Sequence, residues 1–490
     1  MYNLIGYSFP LLVAVILIPP LIKGLGEERF GILSLSWVVI GYFSFLDFGI
    51  GRSLTKIIAE KIGLNKSSEI PGIFWTSFYL MLIISSIGTI VLLLGSSYLV
   101  NNILNISDGL KGETLASFYV IAVTIPIVAT TAGLRGVLEA YQKFALINII
   151  RINLGVFTFL SPLLCLIFTK SLFWIVFVLS IIRLIIWIVY LFQCFKINSE
   201  LRGSEAKFDK KLIKPIFSLS GWITVSNVVA PMIIYLDRFL IGAVISAVAI
   251  TYYITPYEVV TKLLLVPGAL TGVLFPAFSA TYLNDPDTAK KLFNRGVKFI
   301  FIFLYPIVLV LINFSYEGMN LWLGPTFAER STFVMQMLAV GVLLNSLAYI
   351  PFTFFQGIGK PKVPALVNLL ELPFYCLLMW VATSRWGIEG AAIVWVLRIA
   401  IDAAILFIIT QKLTAAILFN SSSMFLFLAM ISILIISILI SDIIFKFIFT
   451  MVILLIFILL VWKVFLLDDE KKFLREKISI FNFSKRVISS

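Results

Sequence analysis

The stretch Phe43 to Lys61 reads FSFLDFGIGRSLTKIIAEK and places Asp47, Arg52 and Lys56 in a run otherwise apolar enough for a membrane. Arg52 and Lys56 are four residues apart, so on a helix they share a face and repel unless an anion or acidic neighbour lies between them. Arg offers a planar fork to phosphate oxygens and Lys a compact point charge, so the pair suits an anionic ligand. Further charges interrupt other apolar runs: Arg135 and Glu139, Arg151, Arg183, Glu258 and Lys262, Glu371, and Arg398 with Asp402. A charge at the bilayer centre costs at least roughly 2.5–3.5 kcal/mol, so each of these should face protein interior or a wet cavity. Arg135–Glu139, Glu258–Lys262 and Arg398–Asp402 have opposite signs at i,i+4 and are expected to neutralise each other locally.

A bland reading stands beside the functional one. Arg135, Glu139 and Arg151 lie near helix ends, where long stems can carry their heads to the interface. Arg183 and Arg398 fit structural locks, with Glu139, Glu371 and Asp402 as structural charges. The cationic candidates for a ligand site are then Arg52, Lys56, Arg135, Arg151 and Lys262. The positive excess favours an anionic ligand.

Catalysis has little to stand on. The chain contains no His, and Cys165, Cys194 and Cys376 lie far apart in apolar runs. That leaves no metal-spaced cluster, and neither a Gly-rich phosphate loop nor a nucleophile motif is found. No cofactor is expected. The longest loop expected outside, Tyr98 to Thr114, offers only Asp108 and Glu113 as acids, which weighs against a polysaccharide polymerase, ligase or glycosyltransferase.

These residues must be positioned by a membrane bundle. Of 490 residues 61% are hydrophobic and 13% charged, against about a quarter charged in a soluble domain. Spans of about 20 apolar residues predict an all-α integral membrane protein of about fourteen transmembrane helices. The opening segment reads as the first of them, without the basic start and cleavage site of a signal peptide. Among the others are helices near 30–60, 213–236 and 243–282. Prolines 126, 162, 231, 256, 267, 276, 306, 351 and 373 fall within expected helices, and the cluster 256, 267 and 276 predicts a bent one. Lys and Arg favour one set of loops by roughly three to one, which predicts both termini in the cytoplasm. Arg238 and Lys446 fall in the opposite, outside set. The net charge of +13 is therefore a topology signal plus contact with anionic headgroups, not a nucleic-acid surface.

The chain also reads as duplicated. ALINII at 145–150 matches ALVNLL at 365–370, EAYQK at 139–143 faces QGIGK at 356–360, and Arg183 matches Arg398. The offsets are 220, 217 and 215 residues. Two six-helix lobes of the same orientation follow, related by an axis along the membrane normal. The expected organisation is an N-terminal lobe at 1–196, a cytoplasmic linker at 197–212 and a second lobe at 213–413. Two further helices at 414–467 and a basic tail at 468–490 complete it.

Gly31, Ile32 and the D-F-G-I-G-R element from Asp47 to Arg52 resemble the start of Wzx-type polysaccharide flippases of the MOP exporter superfamily. The QGIGK element and the helix count extend the resemblance along the chain. It implies an inner-membrane transporter that moves an undecaprenyl-pyrophosphate-linked oligosaccharide, such as an O-antigen repeat unit, to the periplasmic leaflet by alternating access. It implies Arg52 as a contact for the pyrophosphate, coupling to H+ or Na+ with Asp47 and Glu258 as the candidate carboxylates, and work alongside polysaccharide polymerase machinery. A multidrug exporter of the same superfamily is the alternative, but those favour cationic drugs and an acidic cavity.

Overall fold

A computed structural model of the chain describes residues 2–203, 208–213, 232–282, 285–414, 421–466 and 470–472. Most of the expected 213–236 helix, Pro231, and all but three residues of the tail lie outside the described residues. Every regular element among the described residues is helical. The first lobe consists of α1 (Tyr2–Leu25), α2 (Glu27–Phe43), α3 (Ile50–Gly63), α4 (Ile70–Tyr98), α5 (Asp108–Ala140), α6 (Phe144–Cys165) and α7 (Leu172–Ile197). The second begins with a helix over 232–244, here α8. It continues with α9 (Ala247–Val260), α10 (Leu265–Thr281), α11 (Pro286–Asn313), the short α12 (Ser315–Leu323), α13 (Pro325–Gly357) and α14 (Lys362–Thr414). Last come α15 (Ser421–Ser437) and α16 (Ile443–Leu460).

Nine helical stretches among the described residues are long and apolar enough to cross a membrane. One of these, α14, reverses at Gly387, where φ is 61°, and holds two spans. With α1, the pair α2–α3, α8 and α15, the order follows the fourteen expected segments.

Two of those segments are not the single helices expected. The 30–60 helix is broken between α2 and α3, where a 3-10 turn spans Ser44–Asp47 and φ is positive at Phe48 and Gly49. The cause is local: the Asp47 carboxylate accepts the Gly49 backbone N–H at 3.0 Å. An Asp side chain that captures the amide two residues on competes with the helical ladder. Gly49 takes the left-handed conformation without penalty; Phe48 does so under strain. The 243–282 helix, predicted to bend, is interrupted more mildly: it tightens to a 3-10 turn at Thr261–Leu264, between α9 and α10, with no residue of positive φ. Here Pro267, in the first turn of α10, removes a backbone donor and its ring crowds the preceding turn. The two breaks are 217 residues apart, one of the offsets in the sequence repeat.

The halves share finer details. Thr55 donates to the carbonyls of Gly51 and Gly136, each at 3.0 Å. Ser279 donates to Phe275 and Gly357, at 3.2 and 2.8 Å. In both places a small residue late in a long helix, Gly136 or Gly357, lets the second half of the broken helix approach closely. Both long helices then end in one backbone form, with a positive φ at Gln142 (58°) and Gly359 (74°). Lys143 and Lys360 follow, and their N–H groups close back to Leu138 and Phe355.

The lobes meet tightly at one end. A side chain on Gly31 would collide with the Ala247 carbonyl, and Thr251 donates to the Glu27 carbonyl at 2.7 Å. Asn105 bonds through its backbone N–H to Gly242 and through its amide to Ala243, at 2.9 and 2.8 Å. Deeper, the Trp322 indole donates to the Val15 carbonyl at 2.8 Å. This is the closed end; α3 runs toward the opposite one.

The two extra helices pack on α11. Phe457 stacks on Tyr305 with ring centroids 4.6 Å apart. Lys446, expected in an outside loop, is instead buried and pairs with Glu317 at 2.9 Å. Glu470 reaches Lys298 and Arg295 at 2.5 and 3.4 Å.

A Cβ at Gly136 would stand 2.5 Å from the Gly51 carbonyl oxygen, whereas one at Gly72 meets open space. Gly136→Val is therefore expected to lower stability by about 1–3 kcal/mol through overpacking, with Gly72→Ala near neutral. Thermal unfolding of the purified protein reads the difference.

Candidate functional site

The charged residues fall into two sets, one per lobe. In the first lobe, the break of α2–α3 presents the start of α3 to the bundle interior. A helix N-terminus carries a partial positive charge, and the Asp47 carboxylate sits on it, within electrostatic reach of Arg135 and Arg52. Arg52 and Lys56 lie on α3 and are both exposed. Neither forms an ion pair within 4 Å among the described residues. Arg135 pairs with Glu139 at 3.4 Å, both side chains partly exposed. Arg151 is half-buried and lies with Arg135 and Glu139 around Tyr190. Arg183 is half-buried, and its Nε finds no hydrogen-bond partner among the described residues.

In the second lobe, Glu258 and Lys262 pair at 2.9 Å across the end of α9 and the 3-10 turn, as their spacing predicted. Arg398 differs from expectation. Its ion pair is with Glu371, 3.6 Å away on the other arm of α14, and not with Asp402, which lies half-buried one turn further on. Folding at Gly387 brings the two arms side by side, and the cross-helix partner wins over the i,i+4 one.

The largest departure is Arg238. The positive residue counted in an outside loop lies inside α8 and is the largest fully buried side chain described. Asp237 beside it is fully buried too, and its Oδ1 is 3.4 Å from Arg238 Nη1. Tyr253 on α9 donates its hydroxyl to Asp237 Oδ2 at 2.8 Å. The guanidinium donates to the Ile234 carbonyl at 2.5 Å and lies 4.1 Å from the Tyr257 ring centroid. Further hydrogen bonds offset the desolvation of a buried charge pair and cation–π contact with tyrosine adds to the balance, while the buried Arg238 Nε has no hydrogen-bond partner among the described residues. The sequence signal was present: apolar FLIGA follows Asp237–Arg238, so the helix continues past the pair to 244. Through Glu258 and Arg398, both in electrostatic reach, this pair joins the other charges of the lobe into one network.

Two lobes, each with its second helix interrupted by a 3-10 turn and each carrying charges within its helices, in contact at one end, make a membrane transporter fold. Among solved structures, the lipid II flippase MurJ in an inward closed conformation aligns with a TM-score of 0.68 at 14% identity, covering 93% of this chain and 96% of that one. A multidrug resistance MATE family transporter of the MOP superfamily, inward-facing, aligns with a TM-score of 0.67 at 14% identity, covering 84% and 94%. A Shigella flexneri protein that carries the name of an O-antigen transporter is 29% identical over 405 residues, 83% of this chain and 95% of that protein. The family model described as "Polysaccharide biosynthesis protein" matches residues 1–282. The chain belongs to that family.

Removing one partner of a buried pair costs about 3–5 kcal/mol, while replacing both by apolar groups is often near neutral. Arg238→Met is thus expected to destabilise the protein by that amount, and the double change Asp237→Leu with Arg238→Met to recover more than half of it. The test is the thermal midpoint of the two variants in one detergent.

Proposed function

We propose that this protein is a flippase for a lipid-linked oligosaccharide. It would carry an undecaprenyl-pyrophosphate-linked repeat unit, of O-antigen or another surface polysaccharide, from the cytoplasmic to the periplasmic leaflet of the inner membrane. Both termini would then be cytoplasmic, which makes the closed end periplasmic and the form described here the loading state. The observation that carries the reading is the placement of Arg52 and Lys56. Most other charges of the bundle sit in ion pairs, whereas these two, with Asp47 just before α3 and Glu60 on it but in no ion pair with them, stand exposed on one face of a half-helix.

In this reading Arg52 and Lys56 take the pyrophosphate and Arg151 assists. Arg135 and Lys262 contribute only by exchanging Glu139 and Glu258 for the ligand, because both already hold a carboxylate. Asp47 and Glu258 would answer to H+ or Na+: a proton or cation at Asp47 frees the start of α3 from its carboxylate and strengthens the field on an incoming phosphate. Transport alternates which end of the two lobes is closed, with the breaks in α2–α3 and α9–α10 as the places that bend. The Shigella relative's name and the family description favour polysaccharide export over drug export, and so does the cationic character of α3.

In a strain lacking the gene, Arg52→Ala is expected to restore less than a tenth of the surface polysaccharide that wild type restores, at equal membrane level. Loss of one charged hydrogen-bonding partner, about 1.5–3 kcal/mol, supports that size. Arg52→Lys should retain part of the activity. Normal polysaccharide from the double variant Arg52→Ala with Lys56→Ala would remove the cationic site from the account. A second expectation concerns closure: Gly31→Leu props open the closed end, so a Cys placed at Thr251 should react faster with a thiol reagent added from that side.

A further inference from the structure

The two arms of α14 enclose an apolar groove of about 470 Å³ that no step of the proposed transport cycle uses. Val367, Leu370 and Phe374 line it from the first arm, and Leu397, Ile401 and Ile409 from the second. Leu370 and Phe374 are 68% and 69% exposed, and Leu397 and Ile401 47% and 44%, so the groove opens to the surroundings and not into the bundle. At its base lies the Glu371–Arg398 pair. In a bilayer such a trough is filled by hydrocarbon, because an apolar recess wetted from outside forfeits the burial of every residue lining it.

Its length and its mouth say what kind of chain fills it. From Val367 to Leu378 the helix rises ~16 Å at ~1.5 Å per residue, close to one leaflet of a ~30 Å hydrocarbon core. At the lower end, past Ile409 by three residues and so on the same face, stands Lys412. Lys360 stands in the turn that opens the first arm, and Lys362 begins that arm; all three lysines are exposed. Phe355, Val367 and Leu406 form one buried cluster with Ile358, Val363 and Ile409 packed against it, which ties the turn carrying Lys360 to the last turns before Lys412. The first lobe repeats the arrangement. Lys143, which follows Gln142 as Lys360 follows Gly359, lines one cleft of about 510 Å³ together with Lys196 from the last turn of α7.

We propose that the groove of α14 holds one acyl chain of an anionic phospholipid from the leaflet opposite the closed end, with Lys360 and Lys412 on its phosphate. The chain covers the Glu371–Arg398 pair, and the lysines select the headgroup. The lipid is a bound structural partner, not the cargo, so the proposal does not depend on the transport reading.

The full-length protein in nanodiscs of equal phosphatidylglycerol and phosphatidylethanolamine, examined by native mass spectrometry, tests this. Wild type is expected to retain phosphatidylglycerol in roughly thirtyfold excess, in line with ~1 kcal/mol for each of the two lysines near the surface. Lys360→Gln with Lys412→Gln should remove the preference, and Ile401→Trp, which fills the groove, should remove the retained lipid. Equal retention of the two lipids, or a preference unchanged in both variants, would overturn the proposal. Displacement of phosphatidylglycerol by equimolar undecaprenyl phosphate would overturn it too, by assigning the groove to a prenyl chain.

Discussion

A charge inside a bilayer needs a partner or water, and the architecture of this protein is largely an answer to that demand. Asp237 and Arg238 answer each other, with the Tyr253 hydroxyl on the carboxylate and the Tyr257 ring against the guanidinium. Glu371 answers Arg398 across a folded-back helix, Glu258 answers Lys262, and Lys446 finds Glu317. Once these are paired, what remains exposed is informative. Arg52 and Lys56 are held on a short helix whose start is occupied by Asp47, and both are exposed with no ion pair within 4 Å among the described residues.

The same demand ties the two lobes together mechanically. Each lobe has one helix interrupted near its middle, and in each a Thr or Ser hydroxyl fastens the second half to a small residue of the neighbouring long helix. The upper halves, α2 and α9, press against each other at Gly31 and Ala247. The lower halves, α3 and α10, are fastened to their own lobes. A break between the two allows the upper contact to open while the lower one holds, which is the motion alternating access requires. The charge network of the second lobe begins at Glu258, at the end of α9, and Lys262, within the 3-10 turn that follows.

Much of this was legible in the sequence. Apolar run length gave the number and order of spans, because hydrocarbon thickness sets it directly. EAYQK and QGIGK marked a shared turn despite having one residue in common, Lys, because the backbone form needs only a residue that tolerates positive φ. The i,i+4 pairs of α5 and α9 formed as helical geometry requires. What failed did so for identifiable reasons. Asp47 looked like a charge on a helix, and its power to end that helix depends on Gly49 two residues later, a local competition that run length does not see. Arg238 was counted with a loop because a charged pair ended the apolar run, although the apolar residues beyond it belong to the same helix. Arg398 took Glu371 over Asp402 because the reversal at Gly387 brings a partner no linear spacing displays.

The central claim is that these lobes move a lipid-linked oligosaccharide between leaflets. The most direct measurement is a leaflet-exposure assay in proteoliposomes containing a fluorescent undecaprenyl-pyrophosphate oligosaccharide, with a membrane-impermeant reagent that destroys the exposed label. Wild-type protein is predicted to bring the protected inner-leaflet pool within reach of the reagent, leaving little signal. A protected fraction equal to that of protein-free vesicles, with correctly folded protein in the membrane, would contradict the account.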